Sequence, residues 1–300
     1  MRITNNMMIR HLMTNYMNIS RTMDKRLQQV ATGRQFSVPS DDPVRMSQSI
    51  RTRTDLFEIE QYKKNIDDGK AWMEASESAM QSAGEILQRA RELAVYAGNG
   101  TLSKDAQAAI GVEIDMLLEE LMNIGNFNLA GRYIFSGQQT TTVPYVKDAS
   151  GRVVYQGDPG EGVIKYEIGN GVTVQINVPS KVLYDNGRVN ILDTLYDFAD
   201  DLKSGTITGQ AVSDYLGKID EALDNLLRWR GEVGSRMNRM DLAKNRLEEI
   251  NLYLTQLNSE QVDIDFAEVV TQLKMEENLQ RAALSVGARI IQPSLVDFLR

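Results

Sequence analysis

Stripes of apolar residues at helical spacing occupy both ends of this chain. The N-terminal stripe consists of Ile9, Leu12, Tyr16, Ile19, Met23 and Val30. The C-terminal stripe consists of Phe266, Val269, Leu273, Leu284, Gly287 and Ile291, with polar Glu276 and Gln280 at two intervening positions. Because an amphipathic helix must bury such a stripe, we expect each terminal helix to pack against the other terminus or against another copy of the chain. This pattern predicts a function in assembly.

The six prolines divide the chain into helical and non-helical parts. They lie at positions 39, 43, 144, 159, 179 and 293, and leave residues 44–143 and 180–292 free of proline. A proline inside a helix costs about 3 kcal/mol or more, so long helices are expected in these two stretches. Apolar and small residues keep a three- and four-residue spacing over 59–94 and again over 216–254. The apolar faces predict a bundle of long helices.

Residues between the two helical halves alternate between apolar and polar, as strands do. Residues 164–168 and 172–178 flank a Gly-Asn-Gly turn, and residues 143–147 and 152–156 flank a second turn. These patterns predict two β-hairpins. We therefore expect a mainly α fold, in which a long-helix bundle or coiled coil forms from the N- and C-terminal halves and an inserted β domain projects from it.

This organisation predicts three domains. Residues 1–42 with 260–300 would form a terminal coiled-coil domain, and residues 43–140 with 188–259 a helical bundle domain. Residues 141–187 would form the small inserted β domain. The terminal helices have short stripes with polar interruptions, whereas ordering a residue costs about 1–2 kcal/mol. We therefore expect them to fold only when neighbouring copies cover them.

Composition argues against several classes of function. The net charge of −8 argues against nucleic acid as a partner, and the lack of cysteine removes disulfides and thiolate metal sites. No apolar run reaches the ~18 residues of a membrane span, and the polar N-terminal residues differ from a secretory signal. A surface-anchored hydrolase would need a cleft with converging polar groups, and no such set of residues appears. We expect no enzyme activity, no cofactor and no metal.

Three local features could suggest a site. His11, the only histidine, lies beside Leu12, which predicts a place on the rim of the helix. Asp263, Asp265 and Glu268 could bind a metal, but Asp265-x-x-Glu268 is typical of a helix capping box. The first forty residues are basic and rich in methionine, which fits either a packing helix with solvated arginines or a membrane-surface helix. We expect no stable membrane binding, and the methionines either fill the stripe or form an adaptable contact surface.

Several short motifs, in the same order along the chain, resemble bacterial flagellins and flagellar hook-associated proteins. The positions that carry the resemblance are Arg2 and Ile3 near the start, Gly33 in Ala-Thr-Gly-Arg, Asp41 and Asp42 between two prolines, Arg91 and Leu93 late in the long helix, and Arg132, Phe135 and Gly137 in Gly-Arg-Tyr-Ile-Phe-Ser-Gly. The last of these motifs is similar to the hook-associated protein 3 branch. The sequence departs from the family at Arg45 and Met46, where small residues are common.

The resemblance, which covers roughly residues 1–144 and 190–300, implies a flagellin-like fold and a structural adaptor at the flagellar hook–filament junction. It implies that the chain joins hook-associated protein 1 to the flagellin filament, and the apolar stripes predict that it does so by coupled folding and assembly of its terminal helices. Its partners would be hook-associated protein 1, flagellin, further copies of itself and an export chaperone on the C-terminal helix. It would lie outside the cell in the flagellum, after export through the flagellar secretion apparatus without a cleaved signal peptide. Filament-forming flagellin itself stays open as the alternative.

Overall fold

The computed structural model describes residues 5–99, 102–158, 162–178, 184–185, 187–205 and 207–291, with only the backbone described at residues 5, 6, 290 and 291. The helices are α1 Asn5–Thr32, α2 Pro43–Ala97, α3 Lys104–Gly125, α4 Ile191–Ser204, α5 Gly209–Val262 and α6 Phe266–Ile291. The strands are β1 Asn128–Leu129, β2 Arg132–Tyr133, β3 Tyr145–Lys147, β4 Val153–Tyr155, β5 Lys165–Gly169 and β6 Val172–Gln175. Within this described part of the chain, no helix combines the length and apolar character that a membrane span needs.

The chain divides into two compact units. The terminal unit comprises Met1–Glu58 with Glu249–Arg300, and the central unit comprises Ile59–Glu248. The boundaries between the two units fall inside the long helices α2 and α5, which run through residues 58–59 and 248–249 without a break. The predicted three-part division stays a prediction.

Helices α2 and α5 of the central unit run antiparallel and are joined by ion pairs along their length. Arg91 bonds to Asp220 at 2.6 Å, and Arg230 bonds to Glu77 through two nitrogens at 2.7 and 2.9 Å. Two further pairs, Lys70–Asp241 and Lys244–Asp67, lie at 2.7 Å. Beneath this ladder the predicted stripe of α2 is buried, including Ile66, Met73, Met80 and Leu87, as are Ile219, Val233 and Met240 of α5.

Helices α3 and α4 pack closely on each other in the same unit. Gly111 of α3 lies so near α4 that a Cβ there would be 2.9 Å from the carbonyl oxygen of Ala199. Ser103 caps α3, because its side chain accepts a hydrogen bond from the amide of Ala106. Gly205 ends α4 in the left-handed conformation at φ +64°. Serine at a helix start and glycine just past a helix end are the residue types that most often occupy these positions.

The strands form three separate antiparallel hairpins instead of one sheet. The predicted hairpins appear as β3–β4 and β5–β6, and β1–β2 is an additional one that period-two alternation could not reveal in strands of two residues. Two of the hairpins contact helices: Asn65 of α2 donates to the carbonyl of Glu167 at 2.9 Å, and Arg152 beside β4 bonds to Asp197 of α4 at 2.6 Å. A two-stranded hairpin cannot bury a core of its own, which explains this dependence. The mainly α fold with an inserted strand region is confirmed.

Candidate assembly surface of the terminal helices

The turns at the ends of α1, α2, α5 and α6 fix the terminal helices in place. Gly33 ends α1 with φ +69°, a conformation that favours glycine. Asp42 caps α2 by accepting hydrogen bonds from the amides of Val44 and Arg45, at 3.1 and 3.0 Å. Asp265 caps α6 by accepting from the amides of Ala267 and Glu268, as its spacing predicts. The cluster Asp263, Asp265 and Glu268 is therefore a helix start.

The α1–α2 turn is bonded directly to the α5–α6 turn. The amide of Gln35 donates to the carbonyl of Val262 at 2.7 Å, and the amide of Ile264 donates to the carbonyl of Gly33 at 3.1 Å. Buried Gln29 stabilises the α1–α2 turn itself, because its side-chain nitrogen donates to the carbonyl of Gln35 at 2.6 Å. These bonds place the C-terminal end of α1 beside the N-terminal end of α6.

Helices α1 and α6 pack against each other from this point as an antiparallel pair. All six predicted residues of the N-terminal stripe are half-buried. On α6, Val269 and Leu273 are buried, and Gly287 lies close enough to α1 that a Cβ there would be 3.1 Å from a methyl group of Leu12. The two stripes therefore meet each other, which is one of the two partners that the sequence leaves open for them.

An ion pair crosses the seam between the two helices. The guanidinium of Arg26 lies 3.8 Å from a carboxylate oxygen of Glu276, and Arg26 also donates to the side chain of Gln29 at 2.8 Å. Sequence reasoning treated Glu276 as an interruption of the apolar stripe and did not find this pair. The sequence does hold one indication of the pair, because an acidic residue occupies a stripe position of α6 and the predicted partner helix, α1, is rich in arginine. Glu276 is a partly buried partner, held because Arg26 offsets its charge.

Two residues of the predicted C-terminal stripe lie outside the seam. Phe266 and Leu284 are 58% and 55% exposed, so neither packs against α1. The packing face of α6 instead follows the phase of Val269, Leu273 and Gly287, which leaves Phe266 and Leu284 on its flank. Their role in assembly, like that of the whole stripe, stays a prediction. The backbone of Ile291 belongs to α6, but its side chain lies outside the described residues.

A groove of about 520 Å³ runs between α1 and α6 and is lined mostly by apolar side chains. Its lining includes Met8, Leu12, Ile19, Leu279 and Val286. His11 lines the same groove and is exposed at the rim of α1, where the sequence places it. Met8, Leu279 and Val286 are about half exposed, so the groove is an open apolar surface.

The terminal unit has further exposed apolar side chains. On the first turns of α2 and the last turns of α5 they are Val44, Ile50, Phe57, Leu252 and Tyr253. On α1 and α6 they include Met7, Met13, Met17, Leu27 and Met275. Single exposed apolar residues are ordinary, but a concentration of this kind is typical of a surface that another molecule covers.

The other positions that carry the family resemblance have structural roles. Asp41 pairs with Lys25 at 3.1 Å, and the hydrogen bond from that ammonium group lowers the pKa of the carboxyl. Leu93 and Phe135 are buried, and Gly137 adopts φ +68°. Arg91 makes the ion pair with α5 already described, and Arg132 lies exposed in β2. Arg2 and Ile3 lie outside the described residues.

This surface is suited to packing against another molecule. Among the residues that the structure describes, no group of three or more histidine, aspartate and glutamate side chains could hold a metal ion. The described ion pairs of the terminal unit are structural links within and between its elements. The surface therefore offers apolar area and shape to a partner.

Comparison with known proteins assigns the chain to a family. Residues 3–140 match the bacterial flagellin N-terminal helical region, and residues 216–299 match the bacterial flagellin C-terminal helical region. The chain belongs to the bacterial flagellin family. It is therefore a helical structural protein of the bacterial flagellum, and the two matched regions contain the terminal helices that pair in the structure.

Relatives within this family include hook-associated proteins. The chain is 26% identical to flagellar hook-associated protein 3 of Escherichia coli (strain K12), over 94% of this chain and 95% of that protein. It is 25% identical to a flagellin of Bacillus subtilis (strain 168), over 97% of each chain. A solved structure from Vibrio parahaemolyticus, described as a flagellar hook-associated protein, matches with a TM-score of 0.68 and 25% identity, over 74% of this chain and all of that one.

Proposed function

We propose that this protein is a structural adaptor at the flagellar hook–filament junction, where it joins hook-associated protein 1 to the flagellin filament. The observation that supports this most is the half-exposed apolar groove between α1 and α6 in a chain similar to hook-associated protein 3 over nearly its full length. An adaptor needs surfaces that fit two different neighbours, and apolar area supplies most of the free energy of such contacts.

The proposed assembly couples folding of the terminal helices to docking. The α1–α6 seam rests on half-buried side chains, and Val269 and Leu273 are its buried apolar residues on α6. Ordering both helices costs about 1–2 kcal/mol per residue, and a seam of this size offsets little of it. Neighbouring subunits would supply the missing burial by covering the groove. Hydrogen exchange of the free chain tests this step, and strong protection of residues 5–32 and 266–291 before assembly would contradict it.

The test of the proposed function is complementation of a strain that lacks the gene. We expect electron micrographs of this strain to show hooks without filaments, with flagellin released into the medium. The wild-type gene should restore filaments, whereas Val286→Asp should not, because it places a charge in the apolar groove. Ser285→Asp is the matched control, since it adds the same charge to an exposed polar neighbour on the same helix.

Filaments in the deletion strain would rule out the adaptor function. Equal loss of filaments with Val286→Asp and Ser285→Asp would show that the groove is not required for the function, because a charge anywhere on that turn of α6 would then prevent assembly. Secretion of the variants into the medium must be measured in both cases, so that failed export is distinguished from failed assembly.

Flagellin itself is the second candidate, since the chain is also 25% identical to a flagellin over 97% of its length. The two functions differ in what the purified protein does on a template. A flagellin polymerises into long filaments on filament seeds, whereas an adaptor stops after forming a junction layer. Electron microscopy of seeds incubated with the purified chain distinguishes the two.

The proposal includes export as a partly unfolded chain through the flagellar secretion apparatus, without cleavage of a signal peptide. It also includes a cytoplasmic chaperone that covers the C-terminal helix until export. Exposed Leu279, Leu284 and Val286 on α6 give such a chaperone an apolar surface to bind. Mass spectrometry of the secreted protein should find its N-terminal residues intact, and a shortened N-terminus would refute this route.

A further inference from the structure

Methionine is concentrated on the exposed side of the terminal helices. Six of the 14 methionines lie within the first 23 residues. The described side chains of Met7, Met8, Met13, Met17 and Met275 are between 44% and 61% exposed, and all belong to α1 or α6. By contrast, Met73, Met80 and Met240 in the core of the central unit are completely buried. These two groups of methionines therefore have opposite access to solvent.

The exposed methionines lie on both flanks of the α1–α6 pair. Met8 lines the groove opposite Leu279 and Val286. Met13 and Met17 are four residues apart, so they share a face of α1, and neither lines that groove. A neighbour that approaches the pair from either side would therefore meet a thioether sulfur.

We propose that these five methionines form an oxidation site that controls assembly, an inference that rests on the proposed function. Hydrogen peroxide or another peroxide is the oxidant. With hydrogen peroxide, the sulfur lone pair attacks one peroxide oxygen, and the S–O bond forms as the O–O bond breaks. The leaving hydroxide then takes the proton from the oxygen that is now bound to sulfur, which gives water. The sulfur loses two electrons, and the peroxide is reduced. The product is methionine sulfoxide.

The sulfoxide changes the chemistry of the groove. A flexible apolar side chain becomes polar and carries a strong hydrogen-bond acceptor. When a neighbouring subunit covers the groove, the sulfoxide oxygen of Met8 loses its water in a lining that is mostly apolar, with Leu279 and Val286 on the opposite helix. Burial of an unpaired polar group is unfavourable, so the oxidised chain docks poorly. Assembly in turn covers the sulfurs and protects them from the oxidant.

The first test measures oxidation of the full-length purified chain, residue by residue, by mass spectrometry after treatment with hydrogen peroxide. Met7, Met8, Met13, Met17 and Met275 should be oxidised at least about tenfold faster than Met73, Met80 and Met240, because buried sulfurs react only after local opening. Equal rates in the two groups would overturn the proposal.

The second test adds peroxide-treated chain, freed of oxidant, to cells that lack the gene, and counts filaments. Treated wild-type chain should restore about tenfold fewer filaments than untreated chain. A variant with leucine at all five terminal-helix methionines should restore filaments equally with and without treatment. Met116→Leu is the matched control, because Met116 is exposed on α3 of the central unit; this variant should stay sensitive.

The outcomes separate this inference from the function on which it rests. Full activity of treated wild-type chain, or loss of activity by the treated five-leucine variant, overturns the oxidation site alone. Failure of the untreated wild-type chain overturns the proposed function and with it the control of assembly by oxidation.

Discussion

Leu273 is the residue whose replacement best separates the terminal helices from the central unit. It is 8% exposed on the face of α6 that packs against α1, and it belongs to the terminal unit. We predict that Leu273→Asp prevents filament restoration in the complementation assay and leaves the thermal stability of the central unit unchanged.

The magnitude follows from burial and charge. Truncation of a buried leucine costs about 2–5 kcal/mol, and a buried aspartate must also lose its water. Glu276 lies one turn further along α6, and its second carboxylate oxygen is buried with no hydrogen-bond partner among the described residues, so the new charge would be repelled. We expect a loss of at least about 3 kcal/mol in α1–α6 pairing, which lowers the equilibrium constant for pairing roughly a hundredfold.

The two tryptophans make the assay selective. Trp72 and Trp229 both lie in the central unit, so the melting of tryptophan fluorescence reports that unit alone. Its midpoint should change by less than about 2 °C, the shift that a change of 1 kcal/mol would produce in a domain of this size. Leu279→Asp is the control for charge, because Leu279 is 55% exposed. It leaves the buried seam intact, so it should leave the tryptophan transition unchanged and impair assembly only through the groove.

Two results would refute this reasoning. If the tryptophan transition of Leu273→Asp fell together with the protection of residues 5–32, the terminal helices would belong to the main folding core. If Leu273→Asp assembled normally, pairing of α1 with α6 would not be required for the function.

Three further predictions concern stability. Gly111→Ala should destabilise the central unit by about 1–3 kcal/mol because the added methyl group crowds the backbone of α4. Gly231→Ala lies in open space within α5 and should stabilise the unit by roughly 0.5–1 kcal/mol. Urea titration followed by tryptophan fluorescence measures both changes, and a lower stability of Gly231→Ala would contradict the second prediction. Burial raises the pKa of Tyr184 above its value in the unfolded chain, so the unfolded state releases the phenolic proton first as the pH rises. The free energy of unfolding should therefore fall above about pH 10, by about 1.4 kcal/mol per pH unit. Tyr184→Phe should reduce this pH dependence of the urea midpoint, and an unchanged pH dependence would assign it to other groups. Asp265→Ala removes the cap of α6 and should cost about 0.5–2 kcal/mol. The loss should be visible as faster hydrogen exchange over 266–291 in the assembled protein, and unchanged exchange there would show that the cap contributes nothing.

Local chemistry made many helix ends predictable. Gly33, Ser103 and Asp265 carry their signals in a few neighbouring residues, because a positive φ or a capping oxygen acts within one turn. The continuity of α5 through Gly231 and Gly234 was predictable for a similar reason. The three- and four-residue spacing of its apolar residues continues past them, and the two glycines cost only roughly 2 kcal/mol together. The Gly-Asn-Gly turn likewise predicted β5–β6.

The candidate surface was predictable only in part. All six residues of the N-terminal stripe are half-buried, whereas Phe266 and Leu284 of the C-terminal stripe are exposed. Three- and four-residue spacing allows a stripe to drift around a helix, and a polar residue such as Glu276 can hold a seam position when a cation lies opposite. That cation, Arg26, is 250 residues away in sequence, so no local pattern could reveal the pair.

The sequence by itself determined the elements of this protein: long helices at both ends and in both halves, short hairpins between them, and the motifs of the flagellin family. These follow from periodicity, proline placement and capping, all of which act over a few residues. Only the tertiary structure decided which face of α6 meets α1, which methionines stay exposed, and that the hairpins form separate pairs, two of which contact helices. Those outcomes depend on contacts between distant residues, because packing selects among several faces that local patterns leave equally available.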